Sequence, residues 1–105
     1  MSLKRRADID SLFEQGQRFP TDFFTLIWQP ANQFKYGVFV SKRLGCAPVR
    51  NRAKRRLREA LRLSRSCLQA VGRVAVLPRP DRPEPKLEQL VEDVSRIFHK
   101  ISNRA

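Results

Sequence analysis

Between Ala47 and Arg65 the chain carries Arg50, Arg52, Lys54, Arg55, Arg56, Arg58, Arg62 and Arg65, against a single acid, Glu59. Guanidinium and ammonium groups at this density do the chemistry of phosphate recognition. They neutralise a polyanion and donate hydrogen bonds to its oxygens. Residues suited to bond cleavage are scattered by comparison. The acids Asp8, Asp10, Glu14, Asp22, Glu59, Asp81, Glu84, Glu88, Glu92 and Asp93 form no cluster for a two-metal site. Asp10 with Glu14, and Glu88 with Glu92, are one helical turn apart, a spacing that helix solubility explains. His99 stands alone, Cys46 has no histidine near it in sequence, and there is no CxxC pair and no glycine-rich phosphate loop. The expectation is a binding protein with no catalytic residue and no metal site of its own.

The basic residues must be held by an element, and the same stretch supplies it. Val49, Ala53, Leu57, Ala60, Leu61, Ser64 and Leu68 recur at steps of three or four, which places them on one side of an α-helix. Pro48 suits its first turn, where a missing N–H is harmless. The stripe anchors the helix in a core, so the cations stand at set positions instead of trailing in a basic tail. Projection gathers Asn51, Arg55, Arg58 and Arg62 on one outer side and puts Arg52 and Arg56 further round. Arg50 projects almost onto the apolar stripe, and folding explains it least. Solvated helix faces usually mix signs in i, i+4 pairs; here like charges stack, and a polyanion relieves the repulsion.

The whole composition agrees. A chain of 105 residues with 41% hydrophobic content is read as a single RNA-binding domain, 1–105. A formal net charge of +12 makes nucleic acid the default partner. A membrane surface is the rival, but that requires a helix with a free face of large apolar residues, whereas this stripe contains Ala and Ser. Without a signal peptide or spanning segment, and with Cys46 and Cys67 read as reduced packing residues, a cytoplasmic protein is expected.

Around the basic helix, Met1 to Arg6 reads as a mobile basic start and Asp8 to Gln15 as a short helix capped by Ala7 or Asp8 and ended by Gly16. Arg18 to Asp22 is a short extended segment. Phe23 to Gln29 is a strand, with Phe24, Leu26 and Trp28 on one face and Phe23, Thr25 and Ile27 on the other. Phe34 to Ser41 is a second strand, with Tyr36, Val38 and Val40 opposite Gly37, Phe39 and Ser41. Arg73 to Leu77 is a third. Pro78 to Pro85 contains four prolines and is a rigid loop. From Lys86 on, Leu87, Leu90, Val91, Val94, Ile97, Phe98 and Ile101 form an amphipathic helix whose outer face mixes charges, as a structural cover would. The fold class is therefore α+β: a two-layer sandwich with one small mixed sheet of three or four strands covered by helices, in the order α-β-β(-β)-α-β-α.

Gly37-Val38-Phe39-Val40-Ser41-Lys42-Arg43, Gly45, and Val49-Arg50-Asn51-Arg52-Ala53-Lys54-Arg55-Arg56-Leu57-Arg58-Glu59 together resemble the signature of the bacterial ribonuclease P protein subunit. That resemblance implies the same layout, with a left-handed crossover through the basic helix. It also implies an accessory subunit. The RNA subunit would hydrolyse the 5′ leader from precursor tRNA, using Mg2+ held through the RNA, and the protein alone would bind no cofactor. Expected partners are the catalytic RNA and the precursor tRNA leader, with a monomer when free and no membrane. Arg50, Asn51, Arg52, Lys54, Arg55 and Arg58 match the RNA-contacting motif, and Lys42 and Arg43 its basic pair; Arg62 joins them by helical projection. For the leader cleft, Phe13 matches an aromatic position, Ile9 and Ile27 fall where aromatics are common, and Phe24 and Phe39 are candidates either for stacking or for core. Arg79-Pro80 resembles the basic-proline end of the family's last strand. Two other readings come from the residues alone: a structural RNA-binding protein of the ribosome, and a DNA-binding regulator. The second is disfavoured because a strand, not a helix, precedes the basic helix.

Overall fold

The computed structural model describes residues 2–104. Helix α1 spans Arg6–Gln15, strand β1 Gln17–Pro20, β2 Phe24–Pro30, β3 Lys35–Val38, helix α2 Ala47–Ser64, strand β4 Gly72–Pro78 and helix α3 Leu87–Arg104. Short 3-10 turns, Lys42–Leu44 and Arg65–Cys67, flank α2. The short segment near Arg18 is thus a true strand, and the sheet has four.

Strand order is β1-β2-β4-β3. β1 pairs antiparallel with β2, and β2 antiparallel with β4, while β3 and β4 run parallel. Parallel neighbours need a long crossover, and α2 is that crossover. The basic helix therefore leaves from the end of an edge strand and returns into the centre of the sheet. A Thr21 turn closes the first hairpin: its Oγ1 accepts from the backbone N–H groups of Phe23 and Phe24 at 3.2 and 3.1 Å.

Both faces of the sheet are covered. On one face Phe24, Leu26, Trp28, Val38, Val74 and Val76 pack with Leu57, Ala60 and Leu61 of α2 and with Leu90, Val94, Ile97, Phe98 and Ile101 of α3. On the reverse face Ile27 and Ala75 lie beneath Leu12 of α1 and Leu3. Burial on two sides explains why Phe24 to Trp28 is nearly continuous in apolar character, where a half-buried strand alternates. Among the described residues Ser64 is the buried polar residue of the core. Its hydroxyl receives a hydrogen bond from Ser95 Oγ at 3.0 Å, which joins α2 to α3.

Several expectations are corrected. The N-terminal residues are not a free tail: Leu3 is buried and its N–H donates to the Tyr36 carbonyl at 2.8 Å. α1 starts at Arg6, with Arg5 in the cap position and no side-chain cap, so neither Ala7 nor Asp8 serves. Asp8 instead pairs with Arg73 of β4 at 3.0 Å, tying α1 to the sheet. Gly16 does end the helix, but in extended conformation; a Cβ there would strike the Leu12 carbonyl and the Ile27 side chain. Phe23 precedes β2 and packs with the same cluster as Phe24, not on the opposite face. β3 is shorter than the apolar run: the strand is Lys35–Val38, and the Phe39 N–H adds one further bond to the Val76 carbonyl at 2.9 Å before the 3-10 turn. Cys46 is exposed just before α2, so only Cys67 packs against the core.

Candidate nucleic-acid interface

α2 is fixed by Leu57, Ala60, Leu61 and Ser64, all buried. Its remaining surface is divided between two grooves. The first lies between the helix and Tyr36 of edge strand β3, and is lined by Asn51, Lys54, Arg55, Arg58, Glu59 and Arg62. This is the outer side that helical projection assembled, with Tyr36 added from the strand. Arg55 and Arg58 are exposed, and no carboxylate of the described residues pairs with either of them or with Lys54. Arg62 is partly occupied, since its Nε donates to Glu59 Oε1 at 3.1 Å. That hydrogen bond holds the Glu59 carboxyl below the usual carboxylate range and raises Arg62 in turn. The unpartnered charge of this groove is concentrated at Lys54, Arg55 and Arg58. There a phosphodiester would meet cations whose mutual repulsion is already present in the free protein.

The second groove lies on the other flank of α2, against the proline loop. Arg52 and Arg56 point into it and share the Glu84 carboxylate, at 2.6 and 2.9 Å. Arg56 also donates to the Pro85 carbonyl at 3.2 Å. Arg52 is therefore an ion-paired residue in this structure, not a free cation, and it faces away from Arg55 and Arg58. Charge spacing in the helix gave no sign of this, because its partner is 32 residues away.

Arg50 is the clearest correction. Its Nη1 donates to the Gly45 carbonyl at 3.0 Å and the side chain is half-buried. The charge near the apolar stripe thus has a structural role, clasping the turn that launches α2. Gly45 adopts φ +140°, a conformation that side chains with a Cβ rarely take. Lys42 and Arg43 sit exposed on the 3-10 turn before it. Arg43 borders a shallow depression with Arg79, Arg82 and Asp81 at the end of β4, so the basic surface continues beyond the helix.

Among the five leader-cleft candidates the structure separates two from three. Phe24 and Ile27 are fully buried, one on each face of the sheet, and have no surface for stacking a base. Ile9, Phe13 and Phe39 are partly buried and come together on the α1 face. The Phe13 and Phe39 rings meet edge to face, with centroids 5.4 Å apart and planes at 83°. Sequence reading missed Tyr36 as a groove residue, although its strand face was correctly assigned. It also missed Phe34, over whose ring the Arg65 guanidinium lies at 4.2 Å. Among the described residues no group of three His, Cys, Asp or Glu side chains is placed to hold a metal ion. Among them, too, no helix is long and apolar enough to cross a membrane.

Comparison with known proteins yields one consistent family. A family model described as Ribonuclease P matches residues 1–102. The ribonuclease P protein component of Thermus scotoductus is 38% identical over 86 residues, covering 82% of this chain and 51% of the relative. The chain thus spans about half the length of that relative. The corresponding protein of a Nitratiruptor species is 27% identical over 103 residues, covering 98% of this chain and 94% of its own. Among solved structures, the RNase P protein of Thermotoga maritima superposes with a TM-score of 0.79 at 21% identity, covering 96% of this chain and 97% of that one. That of Staphylococcus aureus gives 0.77 at 24% identity, with 96% and 94% covered. At those identities the structural likeness speaks for the fold, which is the mixed four-stranded sheet with three helices found here. The family match extends along nearly the whole chain, and by it this protein belongs to the ribonuclease P family.

Proposed function

We infer that the chain is the protein subunit of a ribonuclease P, binding the catalytic RNA through α2 and assisting removal of the 5′ leader from precursor tRNA. The single observation that carries this reading is the groove of Asn51, Lys54, Arg55 and Arg58. It is a fixed, unpaired cationic surface, built from the motif of the family to which the chain belongs. Arginines held on a packed helix can span closely spaced phosphates without a reordering cost, and Asn51 adds an uncharged donor and acceptor among them.

In this reading the RNA performs the hydrolysis with Mg2+ that it holds itself, and the protein's residues bind and orient. Lys42, Arg43, Lys54, Arg55, Arg58 and Arg62 neutralise phosphates. Ile9, Phe13 and Phe39 offer the leader an apolar, partly aromatic surface on the α1 face, beside the edge of β3. Arg50 acts indirectly, by fixing the start of α2. The free protein is a monomer in this reading, and its place is the cytoplasm. Magnesium-dependent cleavage of a leader-bearing precursor tRNA, reconstituted from this chain and a bacterial ribonuclease P RNA, tests it.

A further inference from the structure

The groove between α2 and the proline loop, which Arg52 of the motif enters, has a further feature. A cavity of about 210 Å³ opens there, walled by Phe23, Val49, Ala53, Leu90 and the rings of Pro80 and Pro83. Four arginines, Arg52, Arg56, Arg79 and Arg82, line the same cavity with Glu84 as the acid among them; the guanidinium groups of Arg52 and Arg56 meet Glu84, and that of Arg79 donates to the Thr21 carbonyl at 3.1 Å. Small apolar cavities are ordinarily closed by packing, and excess positive charge around one disfavours an apolar peptide. The combination fits a ligand that is flat and apolar at one end and anionic at the other. Glu84 shows where the anion goes: its carboxylate lies between Arg52 and Arg56 at 2.6 and 2.9 Å, in the place of a phosphate oxygen. Its side chain is 47% exposed, so an incoming anion can displace it without opening the core.

We propose that this groove is a second RNA-contact surface that takes one unpaired nucleotide, with the base in the apolar cavity and its phosphate replacing Glu84 between Arg52 and Arg56. The proposal rests on the RNA-binding reading and extends it. α2 then grips RNA along both flanks, and Glu84 sets how tightly the second flank binds.

Anisotropy titrations of the full chain with a labelled single-stranded oligouridylate and a labelled RNA hairpin of equal charge test it. Ala53→Leu fills the cavity with a good helix former and is expected to weaken oligouridylate binding by about fivefold or more while sparing the hairpin. Glu84→Gln, a surface change that leaves the fold intact, is expected to tighten oligouridylate binding by about two- to fivefold. That gain should vanish when Arg52 and Arg56 are both alanine, whereas a general charge effect would persist there and appear equally in Glu92→Gln. An Ala53→Leu protein that is folded by circular dichroism and binds oligouridylate like the parent overturns the proposal. So does a Glu84→Gln gain that survives loss of both arginines. In either case continued loss of binding on Arg55→Ala with Arg58→Ala leaves the RNA reading standing. A parent chain that binds neither probe overturns both. Polyglutamate that binds with the Ala53→Leu sensitivity absent from oligouridylate marks a protein partner and overturns the nucleotide assignment.

Discussion

Arg50 Nη1 donates to the Gly45 carbonyl 3.0 Å away, and this bond ties the first turn of the basic helix to the turn that precedes it. Two arginines on one helix, Arg50 and Arg58, thus have different jobs. Arg58 is exposed in the groove with no carboxylate partner; Arg50 is half-buried and bonded to a backbone carbonyl. Arg50→Ala is therefore expected to lower stability by about 1.5 kcal/mol or more, through loss of a charge-assisted bond. Arg58→Ala should change it by less than about 0.5 kcal/mol, as surface substitutions usually do. Thermal unfolding of the two variants checks the contrast, and equal destabilisation would contradict it.

Replacing Arg55 and Arg58 together by alanine should weaken RNA binding by about a hundredfold or more, each phosphate contact to an ionised donor being worth about 1.5 kcal/mol or more. The far-ultraviolet spectrum should be unchanged, because the buried side of α2 is Leu57, Ala60, Leu61 and Ser64. Filter binding and circular dichroism on the same preparations report both quantities. A double variant that unfolds would mean that these side chains support the core.

Affinity for RNA should fall steeply with salt. About four phosphate contacts along α2 give a slope of log K against log salt near −3, and removing Arg55 and Arg58 should flatten it by roughly 1.5. Titrations across a range of potassium chloride concentrations measure this. A slope near zero would show that the groove does not engage phosphate.

The aromatic candidates separate by burial. Phe24 is fully buried, and Phe24→Ala should destabilise the fold by about 3–5 kcal/mol. Phe13 is partly buried against Phe39, and Phe13→Ala should mainly weaken binding of the single-stranded leader, by about 1 kcal/mol or more, in a folded protein. Comparing precursor tRNA with mature tRNA as ligand isolates the leader contribution. Equal weakening for both would remove Phe13 from the leader surface.

How far this was legible in sequence follows from where the determining contacts lie. The stripe from Val49 to Leu68 and that from Leu87 to Ile101 are local periodicities, so α2 and α3 were readable together with the faces they bury. The outer cluster of Asn51, Arg55, Arg58 and Arg62 was readable for the same reason. What was hidden depends on contacts between residues distant in sequence. Glu84 reaches Arg52 only because the proline loop folds back over α2. Leu3 is pinned because β3 leaves an edge open beside the N-terminus. Phe24 and Phe39 look alike as strand aromatics. Their fates differ because β2 is an inner strand with cover on both faces, whereas Phe39 lies just past the end of edge strand β3. The insertion of β4 between β2 and β3 is likewise a long-range pairing that no local pattern encodes.

The most direct measurement is cleavage of a leader-bearing precursor tRNA by a bacterial ribonuclease P RNA at low magnesium, with and without this chain. The expected result is 5′ cleavage that requires both components and falls with Arg55→Ala and Arg58→Ala combined. Cleavage by the protein alone would place the chemistry in the chain. Tight RNA binding with no stimulation by any of several ribonuclease P RNAs would contradict the subunit role.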